Sequence, residues 1–150
     1  MDHYIQKGKI DEGLAQMDAV LAKNSTPYFM YVKGVLQYEK KDYDGAIATF
    51  NQIIAEGKDF VAEAYSKIGD CSFFPAQEIV EENSKLSMDD PKYATNEAKI
   101  KELYEKALPF YEKAKEAKPD NRQLWGQYLL NIYWKLDKEK YNALEKELGY

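Results

Sequence analysis

The side chains that could do chemistry in this chain are few and widely separated. There is one histidine, His3, near the start of the sequence, and one cysteine, Cys71. A serine or cysteine nucleophile needs a neighbouring base, and His3 is the only imidazole available for that purpose. A single cysteine forms neither an internal disulfide nor a thiolate metal cluster. The sequence therefore predicts no enzyme, no catalytic residue and no cofactor.

Two acidic patterns resemble metal sites and are interpreted otherwise. Glu78, Glu81 and Glu82 lie on one predicted helix that faces another, as in di-metal bundles, but the Glu-x-x-His motif of those bundles is absent. Residues 42–45 match the start of a calcium loop and lack its later ligands. We interpret the glutamates as a solvated face and Asp42 as a helix cap, and we predict no metal site.

Composition favours a single soluble domain. The chain has 150 residues, of which 45% are hydrophobic, and a net charge of −5. Its lysines and glutamates are interspersed, whereas a nucleic-acid interface needs a clustered basic face. No stretch approaches the roughly 18 apolar residues of a membrane span, and no signal peptide is visible. We therefore expect no nucleic-acid partner and no membrane insertion.

A ladder of small and bulky residues recurs along the chain. Its central copy consists of Tyr43, Ala46, Phe50 and Ile53, and a second copy stands 33 residues upstream, from Ile10 to Val20. A third copy, 61 residues downstream, contains Ala107, Tyr111 and Ala114 and is followed by Pro119. A period of about 33 residues with these rungs is typical of stacked helix–turn–helix units. Such units build recognition surfaces rather than catalytic pockets.

The pattern predicts seven helices and no sheet. Thr26 caps the second helix, Gly57 ends the third, and Asp90 with Pro91 starts the fifth. Pro75 and Pro109 fall inside the two longest helices and should kink them. The predicted helices are about 10–23, 27–40, 43–56, 59–86, a fifth that starts at Pro91 and contains the rungs to Ala114, and then 121–136 and 138–148, with a tight turn at 87–90.

At these rungs the chain resembles tetratricopeptide repeat proteins, with Met30 and Gly34 in the first-helix slots of one unit and Tyr65 and Gly69 in those of the next. The resemblance implies an all-α, right-handed α-solenoid of stacked antiparallel hairpins in one domain. We divide the chain into a partial repeat at 1–24, a repeat at 27–58, a repeat at 59–119 with a helical extension at about 76–102, and a C-terminal repeat at 120–150. The lengthened hairpin also resembles bacterial cell-envelope members, which implies a periplasmic or envelope location, with the cytoplasm as the alternative.

In this family the first helix of each hairpin lines the concave face. The resemblance therefore implies a partner-binding surface, and we expect Tyr31 and Lys67 to be its most exposed members. An aromatic groove with a few polar groups suits an extended peptide or a partner helix. Some members grip a terminal carboxylate with Lys, Asn and Arg. At the matching positions here only Lys67 could do so, and it stands where that pattern has Asn, so we expect no such clamp. The candidate residues are Tyr28, Tyr31, Val35, Tyr38, Lys67, Asp70, Phe74, Gln123, Gln127 and Trp134.

Two functions remain open from the sequence. The first is a protein–protein interaction scaffold that binds a peptide, a helix or a partner subunit through the concave face. The second is a self-assembly element, because an incomplete first repeat would leave a helical face rimmed by Tyr4, Leu14 and Leu21 that a second copy could cover as a homodimer.

Overall fold

The structure, a computed structural model, describes residues 2–6 and 8–150. All of the regular elements in these residues are helical, which confirms the predicted all-α class. The helices are α1 Asp2–Gln6, α2 Ile10–Lys23, α3 Pro27–Glu39, α4 Tyr43–Glu56, α5 Val61–Asn83, α6 Pro91–Ala117, α7 Gly126–Leu136 and α8 Lys138–Leu148, with a 3₁₀ turn at Arg122–Leu124. Helix α1 is an addition to the seven that were predicted. Two residues of the predicted partial repeat, Met1 and Lys7, lie outside the described part of the chain.

The chain divides into two compact units, Met1–Ile68 and Gly69–Tyr150, and the division falls inside α5. In the first unit, capping side chains set the helix limits. The Thr26 hydroxyl accepts a hydrogen bond from the backbone N–H of Phe29 (3.3 Å), and Asp42 Oδ1 accepts one from that of Gly45 (3.1 Å). Each satisfies a backbone donor that the first turn of a helix leaves unpaired. Asp42 thus has the capping role that the sequence predicts.

The start of α5 differs from the predicted position. The sequence places it near Asp59, but Phe60 has a φ of +64°, a left-handed conformation that no α-helix continues through. The Phe60 ring stacks on Tyr31 at 5.3 Å between centroids, with 22° between the planes. This packing holds Phe60 in a conformation that its type rarely adopts, and α5 begins one residue later.

The core of the first unit contains the close helix approaches that its small residues predict. A Cβ added to Gly34 of α3 would lie 2.6 Å from the ring of Phe50 on α4, so only glycine fits there. Phe50, Leu36 and Ile53 are fully or almost fully buried. On the other side of α3, Leu36 approaches Gly13 of α2, where an added Cβ would meet it at 3.1 Å.

The second unit repeats this arrangement with a longer hairpin. Tyr111 of α6 covers Gly69, where an added Cβ would lie 2.8 Å from the ring. Tyr104 of α6 stacks on Phe73 of α5, and its hydroxyl accepts a hydrogen bond from Gln77 Nε2 (2.6 Å). Residues 84–90 connect the two helices, and Asp90 caps α6 by accepting from the N–H of Lys92 (2.8 Å).

The sixth predicted helix, 121–136, is split in two. Trp125 has φ −146°, outside the helical range, and separates the 3₁₀ turn from α7. Its indole is almost completely buried and donates a hydrogen bond to the carbonyl of Lys118 (3.2 Å). Burial of this large ring therefore overrides the regular helix that the spacing predicts.

Candidate functional site

In the first unit, two of the candidate aromatics form a cluster with a residue that was not predicted. The Tyr28 ring lies 6.0 Å from Phe60 and 5.5 Å from Phe29, and 54% of Tyr28 is exposed. Tyr31 packs between Phe60 and Phe50. It is half-buried, although it was expected to be exposed. The cluster leaves Tyr28 partly exposed beside packed aromatic rings.

Two further candidates of the first unit meet at the end of α3. The ammonium of Lys67 lies 5.4 Å from the centroid of the Tyr38 ring, which also packs on Tyr43. Lys67 is half-buried, as Tyr31 is. The prediction that these two residues would be the most exposed candidates is therefore wrong.

Val35 is 5% exposed and lies in the core, so its predicted outward orientation is wrong. It lies between Gly34, which contacts α4, and Leu36, which approaches α2, and all three residues are buried. An apolar side chain in that position stabilises the unit and offers no surface to a partner.

Asp70 is a further candidate whose predicted outward orientation is wrong. Only 2% of it is exposed, and Oδ1 accepts a hydrogen bond from the hydroxyl of Tyr111 (2.8 Å), itself fully buried. A buried carboxylate requires such donors because its desolvation is costly. Asp70 therefore belongs to the interior of the long hairpin. Phe74, four residues later, is 40% exposed and lies edge-on against Phe73.

One face of α7 brings two of the remaining candidates, Gln127 and Trp134, together. Gln127, Leu130, Asn131 and Trp134 follow each other at intervals of three, one and three residues and therefore lie on one side of the helix. With Tyr141 of α8 they line an open cleft of about 340 Å³. We call this set of five residues the α7 face. It is composed of a large aromatic surface beside two side-chain amides.

A second cleft, of about 210 Å³, continues from the α7 face toward the start of the helix. It is lined by Arg122, Gln123, Gly126, Gln127, Leu148 and Tyr150. Gln127 belongs to both clefts, so the three candidates of this region, Gln123, Gln127 and Trp134, share one continuous surface. Arg122 Nη1 donates a hydrogen bond to the carbonyl of Leu148 (3.3 Å) and thereby joins the 3₁₀ turn to the end of α8.

The aromatic end of the α7 face has a defined geometry. The rings of Trp134 and Tyr141 are 5.0 Å apart and inclined by 71°, so they form two walls of a corner. The ammonium of Lys138 lies over the Trp134 ring and 5.7 Å from the centroid of Tyr141. The Tyr141 hydroxyl donates to Glu145 Oε1 (2.9 Å), and this hydrogen bond to a carboxylate raises the pKa of the Tyr141 phenol.

The corner is held by the junction of two helices. Asp137 is the single residue between α7 and α8, and its extended backbone turns the chain. Its carboxylate accepts hydrogen bonds from the N–H groups of Glu139 and Lys140, each at 3.1 Å, and so caps α8. Because no flexible loop intervenes, the first turn of α8 is fixed against the last turn of α7.

Another cleft, of about 480 Å³, lies between α6 and the end of α7. Its lining includes Glu97, Lys101, Glu105 and Lys135 and is therefore of mixed charge. Lys135 is hydrogen-bonded to Glu97, whose other oxygen accepts from Asn83 Nδ2 (3.2 Å). The Lys135 ammonium is the main reason that the pKa of Glu97 lies below its ordinary value. These bonds join α7 to the long hairpin.

Sequence reasoning missed Asn131, Lys138 and Tyr141. Asn131 lies four residues after Gln127, a spacing that helical periodicity could have used. Lys138 and Tyr141 lie four and seven residues after Trp134, but on the next helix. Their positions depend on the one-residue junction at Asp137, which the sequence does not reveal.

In the part of the chain that the structure describes, no group of three or more acidic, histidine or cysteine side chains is arranged to hold a metal ion. None of the described helices is sufficiently long and apolar to cross a membrane.

Comparison with known proteins gives a match to one family model. A family model described as "Tetratricopeptide repeat" matches residues 2–59, which include α1 to α4. No curated protein and no solved structure matches the chain. The matched segment contains the Gly34–Phe50 contact and the ladder from Tyr43 to Ile53 that suggested this family.

Proposed function

We propose that this chain, a tetratricopeptide repeat protein, is an interaction scaffold that binds an extended peptide or a helix of a partner protein. Tetratricopeptide repeats generally mediate contacts between proteins. The partner contacts the α7 face, and the exposed aromatic surface around Tyr28 is a second contact region.

The exposure of Trp134 is the observation that carries the proposal. The side chain is 58% exposed, although tryptophan contributes more apolar area than any other residue. Exposed aromatics beside hydrogen-bonding groups are the composition found at the centre of protein interfaces, where tryptophan, tyrosine and arginine dominate the binding energy. The side chains of Gln127 and Asn131 line the same cleft as the ring, and Asn131 Nδ2 donates to the Gln127 backbone carbonyl (2.9 Å). The Asn131 side-chain carbonyl and the Gln127 amide are suited to pair with the backbone of a peptide.

Selection from a displayed peptide library tests the proposal without knowledge of the partner. Peptides are enriched on the wild-type protein and then counted for retention on Trp134→Ala. We expect selected peptides to lose at least about tenfold in affinity on this variant, the loss typical of an interface aromatic.

Met88→Ala is the matched control, since Met88 is also a large, exposed apolar side chain, 79% exposed, but lies outside the α7 face. Peptides should bind this variant as they bind wild type. Failure to enrich any peptide, or equal losses on the two variants, would contradict the proposed function.

The self-assembly function has less support. Tyr4 of α1 packs over Gly13 of α2, where an added Cβ would lie 2.8 Å from the ring. Leu14 and Leu21 are half-buried as well. The apolar area at this face is thus smaller than an incomplete repeat would leave. Sedimentation at several concentrations should give a monomer, whereas a dimer that Leu21→Glu dissociates would favour self-assembly.

A further inference from the structure

We propose that the corner between Trp134 and Tyr141 is a binding site for the ammonium group of a lysine side chain from a basic partner segment. In the structure Lys138 occupies this corner as an internal substitute for that side chain. The inference rests on the proposed function, because it names the partner chemistry of the same surface.

The two rings supply the walls of an ammonium site. A cation is attracted to the face of an aromatic ring, most strongly to tryptophan, within about 6 Å of the centroid. Trp134 and Tyr141 are nearly perpendicular, so one ammonium can lie near both. The Tyr141 hydroxyl donates to the Glu145 carboxylate, which places a negative charge beside this wall. The corner is therefore electron-rich on two sides.

Lys138 shows that the corner accepts an alkylammonium. Its Nζ lies over one ring and within 6 Å of the other. No carboxylate in the described part of the chain forms an ion pair with Lys138. Two other lysines that contact rings in this unit differ in this respect: Lys115 pairs with Glu147 (2.6 Å), and Lys140 lies 3.6 Å from Glu112. Lys138 is thus held by the rings alone and can be displaced.

Displacement by a partner lysine is favoured by position and charge. Lys138 is exposed and begins α8, so its side chain can turn into solvent while Asp137 still caps the helix. The rings keep their positions because the one-residue junction fixes them, which lowers the entropic cost of binding. The net charge of −5 favours approach of a basic segment over an acidic one.

The indole N–H signals of the two tryptophans provide a direct test by NMR. Trp125 is buried and hydrogen-bonded to Lys118, so its signal is an internal reference for Trp134. The probes are the capped peptide Gly-Ser-Lys-Ser-Gly and the same peptide with norleucine, which keeps the chain length and removes the charge. We expect the lysine peptide to shift the Trp134 signal and the norleucine peptide to bind several-fold more weakly.

Lys138→Ala should bind the lysine peptide about two- to fivefold more tightly than wild type, since the internal competitor is removed and an exposed cation–π contact is worth roughly this factor. Lys140→Ala is the matched control, because it removes one positive charge from the same turn of α8. Equal affinities of the two variants, equal binding of the two peptides, or no shift of the Trp134 signal in Lys138→Ala would each overturn the inference.

These outcomes separate the inference from the proposed function. Library peptides that need Trp134 but contain no lysine would leave the interaction function standing and would overturn the ammonium site. A lysine peptide that shifts Trp134, together with no enriched library peptide, would support the ammonium site and contradict the interaction function.

Discussion

At the scale of single residues, the hairpins depend on glycines that face aromatic rings. Gly34 lies against Phe50 in the first unit, and Gly69 lies against Tyr111 in the second. In both, an added Cβ would approach the ring closer than 3.0 Å, so the ring or the helix would have to move. Glycine destabilises a helix relative to alanine, but at these two positions it permits the close contact with the ring.

Gly34→Ala should therefore destabilise the protein, although alanine is the better helix former. We expect a loss of about 1–3 kcal/mol in the free energy of unfolding, the usual cost of overpacking. Gly126→Ala is the control, since its added Cβ would meet only ordinary contacts at 3.7 Å or more. Urea denaturation should show Gly126→Ala equal to or more stable than wild type. Equal stability of all three proteins would mean that Phe50 can move aside.

A residue-scale prediction about pH concerns Glu97. Its pKa is lowered, chiefly by the hydrogen bond from Lys135, so its contribution to stability is complete above the ordinary glutamate pKa of about 4.3. This contribution is lost as the pH falls through the lower pKa of the folded state. Between pH 6 and pH 3 we expect the free energy of unfolding of wild type to fall by about 0.5–1 kcal/mol more than that of Glu97→Gln. The free energy of unfolding of Lys135→Gln should depend on pH as weakly as that of Glu97→Gln. The same pH dependence in wild type and both variants would contradict this account.

At the scale of elements, the long hairpin of α5 and α6 changes character along its length. Near its base it is packed by Phe73 and Tyr104, and Ile100 is 1% exposed. Near the connection its interior is polar: Asn83 donates to the carbonyl of Tyr93 and to Glu97, and Asn96 lies 3.4 Å from Glu82. Asn83 Oδ1 is buried without a hydrogen-bond partner, which weakens this end further.

Amide exchange should follow this gradient. We expect protection to be greatest from Tyr104 to Tyr111 and to decrease toward residues 91–97, because local opening there breaks few apolar contacts. Asn83→Leu, which replaces the buried amide by an apolar group, should alter exchange mainly at residues 91–97. Uniform protection along α6 would show that the polar end opens only when the whole hairpin unfolds.

The element boundaries were predictable wherever a local signal marks them. Thr26, Asp42 and Asp90 cap helices as expected, and Gly57 ends α4 in the left-handed conformation. The break at Trp125 and the late start of α5 were not predictable, since each is caused by a ring that packs on distant residues. The same reason applies to the α7 face: the family resemblance made Gln127 and Trp134 candidates, whereas the position of Tyr141 depends on a turn formed by one residue.

At the scale of the whole molecule, composition and repeat pattern were sufficient for the fold class. The spacing of the ladder predicted helical hairpins, and the family match to residues 2–59 agrees with it. Composition and repeat pattern were insufficient to predict which residues form the site. Core positions follow the helical period because they must pack, whereas surface positions are not constrained in this way. Val35 and Asp70 illustrate this: each was placed outside by its position in a repeat, and each is buried by contacts of this chain.

The central claim is that a partner binds on the α7 face, and chemical-shift mapping of one selected peptide on the ¹⁵N-labelled protein tests it most directly. We expect the largest shifts at Gln127, Asn131, Tyr141 and the indole N–H of Trp134, with the Trp125 signal unchanged. Trp134→Ala should remove these shifts at the same peptide concentration. Largest shifts around Tyr4 and Leu21, or in residues 84–97, with the α7 face unaffected, would contradict the account.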